Sequence, residues 1–367
     1  DTSYCEGFVV SSRSDETSRG AVPWTGEPRS GPFFVGLAAP PRAVCRKPMP
    51  TIGEDEHMPQ VMRCVAPIVV AWVVLLSGAS AGAQVPDVWD RVEHRTADND
   101  GVSIHYVTLG EGPLVVMIHG FPDFWYLWRD YLTALSDDYQ VVAIDQRAYN
   151  QSDKPTGVDR YTYEFLVGDV AAVIEDTGHE SATVVGHDWG GAVAWQFAMR
   201  RPEMTDQLVV FNFPHPRGLQ RELALNDQQN QNSAYARRFQ AEGAHLALSA
   251  EQLAGLHGNE PVVYERYVEA LGNSDFEGML NYYKANYPSP PYVEDDSPVV
   301  MVKAPVLQFH GLDDPYLLPG ALNDTWGLLE QNLTLVTIPG VGHWAVTEAS
   351  GFTIPILQAW LAHRVAR

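Results

Sequence analysis

Between residues 102 and 213 the chain alternates two kinds of hydrophobic pattern. Val102–Leu109 alternates apolar and polar residues, as a half-buried strand does. Leu114–His119 and Val141–Asp145 are short aliphatic, β-branched runs, the pattern of strands buried on both faces. Between them Phe124–Leu135 repeats apolar residues at helical spacing. Tyr163–Thr177 does the same, with Phe165, Leu166, Val170, Val173 and Ile174 on one side. Ala182–Gly186 reads as a strand, Gly191–Arg200 as a helix opening on two glycines, and Leu208–Phe213 as another strand. The alternation then stops. From Pro214 to Val302 the pattern is mostly helical, polar and interrupted, with Pro288, Pro290 and Pro291 near its end. It resumes with strands at Pro305–Gln308 and Leu333–Ile338 and helices at Leu318–Glu330 and Ala345–His363. The reading is α/β: a mostly parallel sheet flanked by helices, with a helical cap inserted after the sixth strand. The core is residues 84–213 and 303–367, and the cap is residues 214–302.

The first residues stand outside that pattern. Residues 1–57 are rich in proline, glycine, serine and charge without a period, and read as a disordered or upstream leader. Residues 58–83 read as a signal peptide: a basic start at Met58–Arg63, an apolar run Val65–Leu76, and small residues around a cleavage site near Ala83. The apolar run is short for a membrane span. The expectation is export, periplasmic or secreted, with no membrane span after cleavage; an uncleaved anchor is the alternative.

Charge and cysteine content narrow the chemistry. The chain has 367 residues and a formal charge of −22, from 24 basic and 46 acidic residues. That argues against nucleic acid or an anionic membrane surface as a partner. Cys5, Cys45 and Cys64 all precede the folded region, which therefore has no disulfide and no thiolate metal site. The oligomeric state leaves no mark in the sequence.

Gly186-His187-Asp188-Trp189-Gly190 has the spacing of a nucleophile elbow, with aspartate where an esterase has serine. A carboxylate can attack an sp3 carbon, displace oxygen or halide, and leave an ester that water cleaves. Serine attacking the same carbon would leave an inert ether. Alone, this pattern also fits an ordinary strand-to-helix turn with an aspartate N-cap. Other polar residues gather at the same ends of the predicted strands, where open α/β sheets bind ligands. His343, in Pro339-Gly-Val-Gly-His343, is the candidate general base, since imidazole takes a proton from water near neutral pH. His310-Gly-Leu-Asp313-Asp314 offers two acids to orient it, and Asp314 holds the Gly-x-x-Asp position. The earlier strand end Phe211-Asn212-Phe213 has no carboxylate to compete. The backbone N–H groups of Phe121 and Trp189 are the candidate oxyanion hole. His187 should point away from the nucleophile, and His119 and His215 should serve loop backbone.

The order nucleophile, acid, histidine is that of the α/β-hydrolase fold. Within it, residues 88–365 resemble the epoxide hydrolases: His119-Gly-Phe-Pro122 with Trp128-Arg129, Asp145-Gln-Arg147 with Ser152 and Pro155, Gly186–Gly191, and Gly340-Val-Gly-His343. The resemblance implies two cap tyrosines that donate to the epoxide oxygen. Tyr235, four residues before Phe239-Gln240, and Tyr283, in Asn281-Tyr-Tyr-Lys284, match their positions. It also implies an apolar epoxide as substrate, water as second substrate, and no metal or organic cofactor. Phe121, Trp189 and Trp344 are expected to line the substrate pocket. A haloalkane dehalogenase, using the same aspartate, is the alternative. It needs two N–H donors for halide; position 121 is Phe and residues 214–302 contain no tryptophan. The family usually has glycine where this chain has Ala148, so a left-handed backbone there would be strained and the loop slightly shifted.

Overall fold

The structure is a computed structural model that describes residues 87–258 and 260–365. The leader and the export segment, residues 1–57 and 58–83, lie outside the described residues. The β-branched runs form strands β1 Glu93–Asn99, β2 Val102–Leu109, β3 Leu114–Ile118, β4 Gln140–Ile144, β5 Ala182–His187, β6 Thr205–Phe211, β7 Val306–Gly311 and β8 Leu333–Ile338. They make one sheet in the order β1-β2-β4-β3-β5-β6-β7-β8. β2 pairs antiparallel with both β1 and β4, and the remaining pairings are parallel. Every residue of β3, β5 and β7 is buried, as helices on both faces require. The hydrophobic pattern does not announce β1. It exposes Glu93–Thr96 and Asp98 and buries only Ala97, and charge of this kind on an edge strand discourages pairing with other chains.

The helices of the core are α1 Arg129–Leu135, α2 Tyr163–Asp176, α3 Trp189–Arg200, and, at the C-terminal end, α10 Ala345–Glu348 and α11 Ser350–Val365. The single helix expected over Phe124–Leu135 begins instead as a tight 3-10 turn, Trp125–Trp128. That turn buries two tryptophans, a tyrosine and a leucine. The helix expected over Leu318–Glu330 does not form. Two short 3-10 turns stand there, Pro319–Leu322 and Thr325–Leu328. Asp324 between them takes the left-handed conformation at φ 62°, and Gly320 and Gly327 weaken what helical preference remains.

Between β6 and β7 the chain forms α4 Pro216–Leu225, α5 Asp227–Asn232, α6 Ala234–Phe239, α7 Ala250–Ala254, α8 Pro261–Gly272 and α9 Phe276–Asn286. This cap is tied to the core at several places, two of which flank the site. On one side Tyr282 donates to the Arg147 carbonyl at 3.0 Å, and Asn286 to the Tyr161 carbonyl at 2.8 Å. On the other, Gln229 donates to the Tyr316 carbonyl at 2.7 Å and accepts from the Leu318 N–H at 2.8 Å. Ala148 has φ 75°, so alanine does occupy a left-handed position, at about 1–2 kcal/mol. Its carbonyl accepts from the Asp275 N–H at the start of α9. The loop is anchored beside it by Arg147, which is fully buried and forms a two-point ion pair with Asp169 of α2, at 2.6 and 2.7 Å. Among the described residues no helix is long and apolar enough to cross a membrane.

Candidate active site

Asp188 sits between β5 and α3 with φ 51° and ψ −123°, a conformation unfavourable for any residue with a side chain. The sequence permits it because glycines stand two residues to either side and at the facing loop. A Cβ on Gly186 would collide with the Gly190 carbonyl, and one on Gly190 with the Ile118 carbonyl. A Cβ on Gly120 would strike the Asp188 side chain itself. The turn pushes the Asp188 carboxylate up from the sheet into the space under the cap.

One carboxylate oxygen, Oδ1, accepts from the Phe121 N–H at 2.8 Å. The other, Oδ2, is 3.3 Å from His343 Nε2. His343 Nδ1 is 2.8 Å from Asp314 Oδ2. Asp314 is 1 % exposed and Asp313, its neighbour, faces solvent, which places Asp314 beside the imidazole. Asp314 is held on every side. Its Oδ1 accepts from the Tyr316 and Leu317 N–H groups at 2.8 and 3.0 Å, and its Oδ2 from Asn212 at 2.9 Å. Asn212, at the end of β6, is the residue that the sequence offers only as the absence of an acid. It instead fixes the acid that follows β7.

The electrostatics follow from burial and close charges. Burial alone would raise the Asp188 and Asp314 carboxyls, but His343 beside each holds both below the usual carboxylate range. Burial alone would lower the His343 imidazole; Asp314 and Asp188 outweigh it and raise it to about 10. His343 is therefore an imidazolium between two carboxylates at neutral pH. A group whose folded-state value is raised contributes stability that is complete below its unfolded value near 6.5 and is lost as pH rises through about 10. Thermal unfolding midpoints should accordingly fall between pH 7 and pH 10. Asp188→Asn removes one of the two charges, so its midpoint should fall less over the same window. Equal slopes for the two proteins would contradict the pairing.

Above Asp188 lies a cavity of about 260 Å³, lined by Phe121, Tyr235, Tyr283, Tyr316 and His343 among others. Tyr235 comes from α6 and Tyr283 from α9, and their rings meet edge-on with centroids 6.1 Å apart. Burial, reinforced by Asp188 and by neighbouring tyrosines, holds both phenols well above their usual value, so both keep their protons. Trp344 also lines this cavity. The Trp189 ring lies behind it, edge-on to Tyr283 at 4.9 Å, rather than forming its wall. The other expected histidines serve structure. His119 reaches the Gly120 carbonyl and accepts from the Gln146 N–H, His215 accepts from the Arg217 N–H, and His187 reaches the His343 carbonyl. Asp145 binds His105, Asn150 and the Trp125 N–H, outside the cavity.

Two residues escape sequence reasoning. Tyr316 stands edge-on to both His343 and Tyr235, at 5.1 and 5.2 Å. Asp123, fully buried, accepts from Tyr267 at 2.8 Å and Trp344 at 3.3 Å, and burial pushes its carboxyl up to about 7. Its position directly after His119-Gly-Phe-Pro122 was the available signal. Among the described residues no group of side chains has the arrangement to hold a metal ion.

Known proteins share this architecture. Residues 113–350 match the family described as the alpha/beta hydrolase fold. Epoxide hydrolase 1 of Caenorhabditis elegans is 34% identical over 278 residues, which cover 71% of this chain and 68% of that protein. The AB hydrolase superfamily protein YfhM of Bacillus subtilis is 42% identical over 213 residues, covering 53% and 74%. The crystal structure of a Bacillus megaterium epoxide hydrolase with an inhibitor superposes with a TM-score of 0.68 at 29% identity, covering 73% of this chain and 100% of that one. By sequence and fold together, this chain belongs to the α/β-hydrolase fold family, among its epoxide hydrolases.

Proposed function

We propose that the protein opens an epoxide to a vicinal diol through a covalent ester on Asp188. The observation that carries this reading is the placement of two protonated cap tyrosines, Tyr235 and Tyr283, in the same cavity as the Asp188 carboxylate. Opening an epoxide creates an alkoxide, which is a poor leaving group unless a hydrogen bond or a proton meets it. The tyrosines supply that from the cap while the carboxylate attacks from the sheet.

The two oxygens of Asp188 divide the work. Oδ1 already rests on the Phe121 N–H, so Oδ2 is the attacking atom. It bonds to a ring carbon, the carbon–oxygen bond of the ring breaks, and a tyrosine proton goes to the alkoxide. Esterified Asp188 carries no charge. The main partner holding His343 protonated from that side is then gone, and its imidazole drops toward its ordinary value. The proton that His343 then gives up restores the tyrosine through solvent, so the base becomes available only after the ester exists. His343, held by Asp314, takes a proton from water, and the resulting hydroxide adds to the Asp188 carbonyl carbon. The oxyanion at Oδ1 rests on Phe121 N–H and, in this reading, on Trp189 N–H. The ester bond breaks, His343 returns its proton to the departing alkoxide and the diol leaves; the remaining water proton, on the Asp188 carboxyl, passes to His343 and restores the carboxylate–imidazolium pair.

The decisive experiment runs an epoxide panel, assayed for diol, beside a halide-release assay on haloalkanes. Diol formation without halide release is expected. Tyr235→Phe or Tyr283→Phe should each slow ester formation about tenfold, and the double variant about a hundredfold. Halide release with no diol, or a double variant opening epoxides at the wild-type rate, would reject the reading.

A further inference from the structure

Next to the active-site cavity lies a second one of about 250 Å³. The two share Leu256 and Trp344 as a common wall. Their linings differ in kind. The first is mostly aromatic and aliphatic. The second presents Arg129, His257, Tyr267, Thr347 and Glu348. His257, between α7 and α8, is stacked flat on Tyr267 with ring centroids 3.9 Å apart and its side chain is 6 % exposed. Its Nδ1 is 3.5 Å from Asp123. Its Nε2 is buried and meets no hydrogen-bonding group of the described residues, while the residue lines the second cavity. A buried ring nitrogen without a protein partner is satisfied by a hydroxylic molecule in a polar space of sufficient size.

Beyond His257 the polar groups continue toward the reaction centre. Asp123 accepts from Trp344 Nε1, which belongs to the shared wall. His187 Nδ1, also buried with no partner among the described residues, is 3.9 Å from Asp123. The other nitrogen of that ring reaches the His343 carbonyl. A series of polar atoms thus extends from the second cavity to the backbone of His343, whose ring faces the first cavity.

The chemistry gives such a route a task. This inference rests on the reading above, in which an ester forms on Asp188. Once it forms, its alkyl part fills the apolar cavity and stands in the mouth through which it entered. The water that cleaves the ester has to come from another side. We propose that the second cavity is a water-binding chamber that supplies the hydrolytic water to His343 past Trp344, with His257 as a positioning residue.

The test separates the two chemical steps in single-turnover experiments on the full chain with one epoxide, following the Asp188 ester by intact mass and the diol by chromatography. Thr347→Phe and Val263→Phe fill the chamber, and neither residue lines the active-site cavity. Each should leave ester formation unchanged and slow ester hydrolysis about tenfold, so that the ester accumulates during turnover. His257→Phe should do the same, while His257→Asn, which keeps a polar group, should recover part of the rate. A merely structural role would slow both steps together, and that result overturns the proposal. Unchanged hydrolysis in both filled variants overturns it too. If the wild type forms no ester with any epoxide, it is the reading of Asp188 that fails, a result distinguishable from either of these.

Discussion

Asp188→Ala is expected to abolish diol formation, a fall of about 10⁴-fold or more in kcat. The size of the effect follows from what would remain. His343, Asp314 and both tyrosines would still surround the cavity, so an epoxide could bind and its oxygen could be protonated. Water would then have to attack the ring directly. The imidazole could serve as its base, because the loss of the Asp188 charge lowers its proton affinity. A water there is a weaker nucleophile than the carboxylate and lacks the covalent hold that fixes Oδ2 behind the ring, so this route is slow. The variant keeps the left-handed φ of 51° and therefore some backbone strain, and its circular dichroism should remain that of the wild type. The measurement is diol formation by chromatography together with intact mass after incubation with epoxide. Activity within tenfold of wild type would mean that the elbow positions something other than the nucleophile.

His343→Gln should separate the half-reactions. Glutamine can still donate toward Asp188, and Oδ1 still has the Phe121 N–H at 2.8 Å, so attack on the epoxide persists. What is lost is proton removal from water, a contribution of about 10²–10⁴-fold. The ester should therefore accumulate, visible as a protein mass increased by the mass of the epoxide, with turnover reduced by that factor. Asp314→Asn should give a weaker version, because the imidazole remains but loses its orienting charge. Absence of an adduct with every epoxide tried, with halide release persisting in the wild type, would point to the dehalogenase reading instead.

The parts of the molecule that the sequence announces are those whose chemistry is local. β3, β4 and β5 are runs of apolar residues that have no stable alternative to a doubly covered sheet. The elbow is legible because three glycines are needed within six residues to let a strand and a helix approach. Asp314 could be preferred over Asp313 because the distance from Gly311 decides which side chain turns inward. The parts that stay hidden depend on partners distant in the chain. Asn212 matters only because the loop after β7 folds back over it, 102 residues later. Asp123 is an exposed-looking polar residue until Tyr267, 144 residues away, covers it. β1 carries too many charges to look like a strand, and forms one because β2 offers a free edge. The helix expected at Leu318–Glu330 fails for the opposite reason. Its apolar spacing is right, but glycine and a left-handed aspartate interrupt the backbone.

The ties between cap and core on either side of the site have a consequence for which molecules gain entry. Tyr283 rides on a helix fastened to the Arg147–Ala148 loop, and the helix before that of Tyr235 is fastened, through Gln229, to the segment that follows Asp314. A hinged opening would tear one of these sets of hydrogen bonds, and would carry a tyrosine away from the carboxylate it serves. Admission is expected to be set by the outline of a standing aperture more than by the timing of a door. Changes at the rim, as at Arg238 or Leu256, should alter which epoxides fit while leaving the encounter itself as fast as diffusion and shape allow.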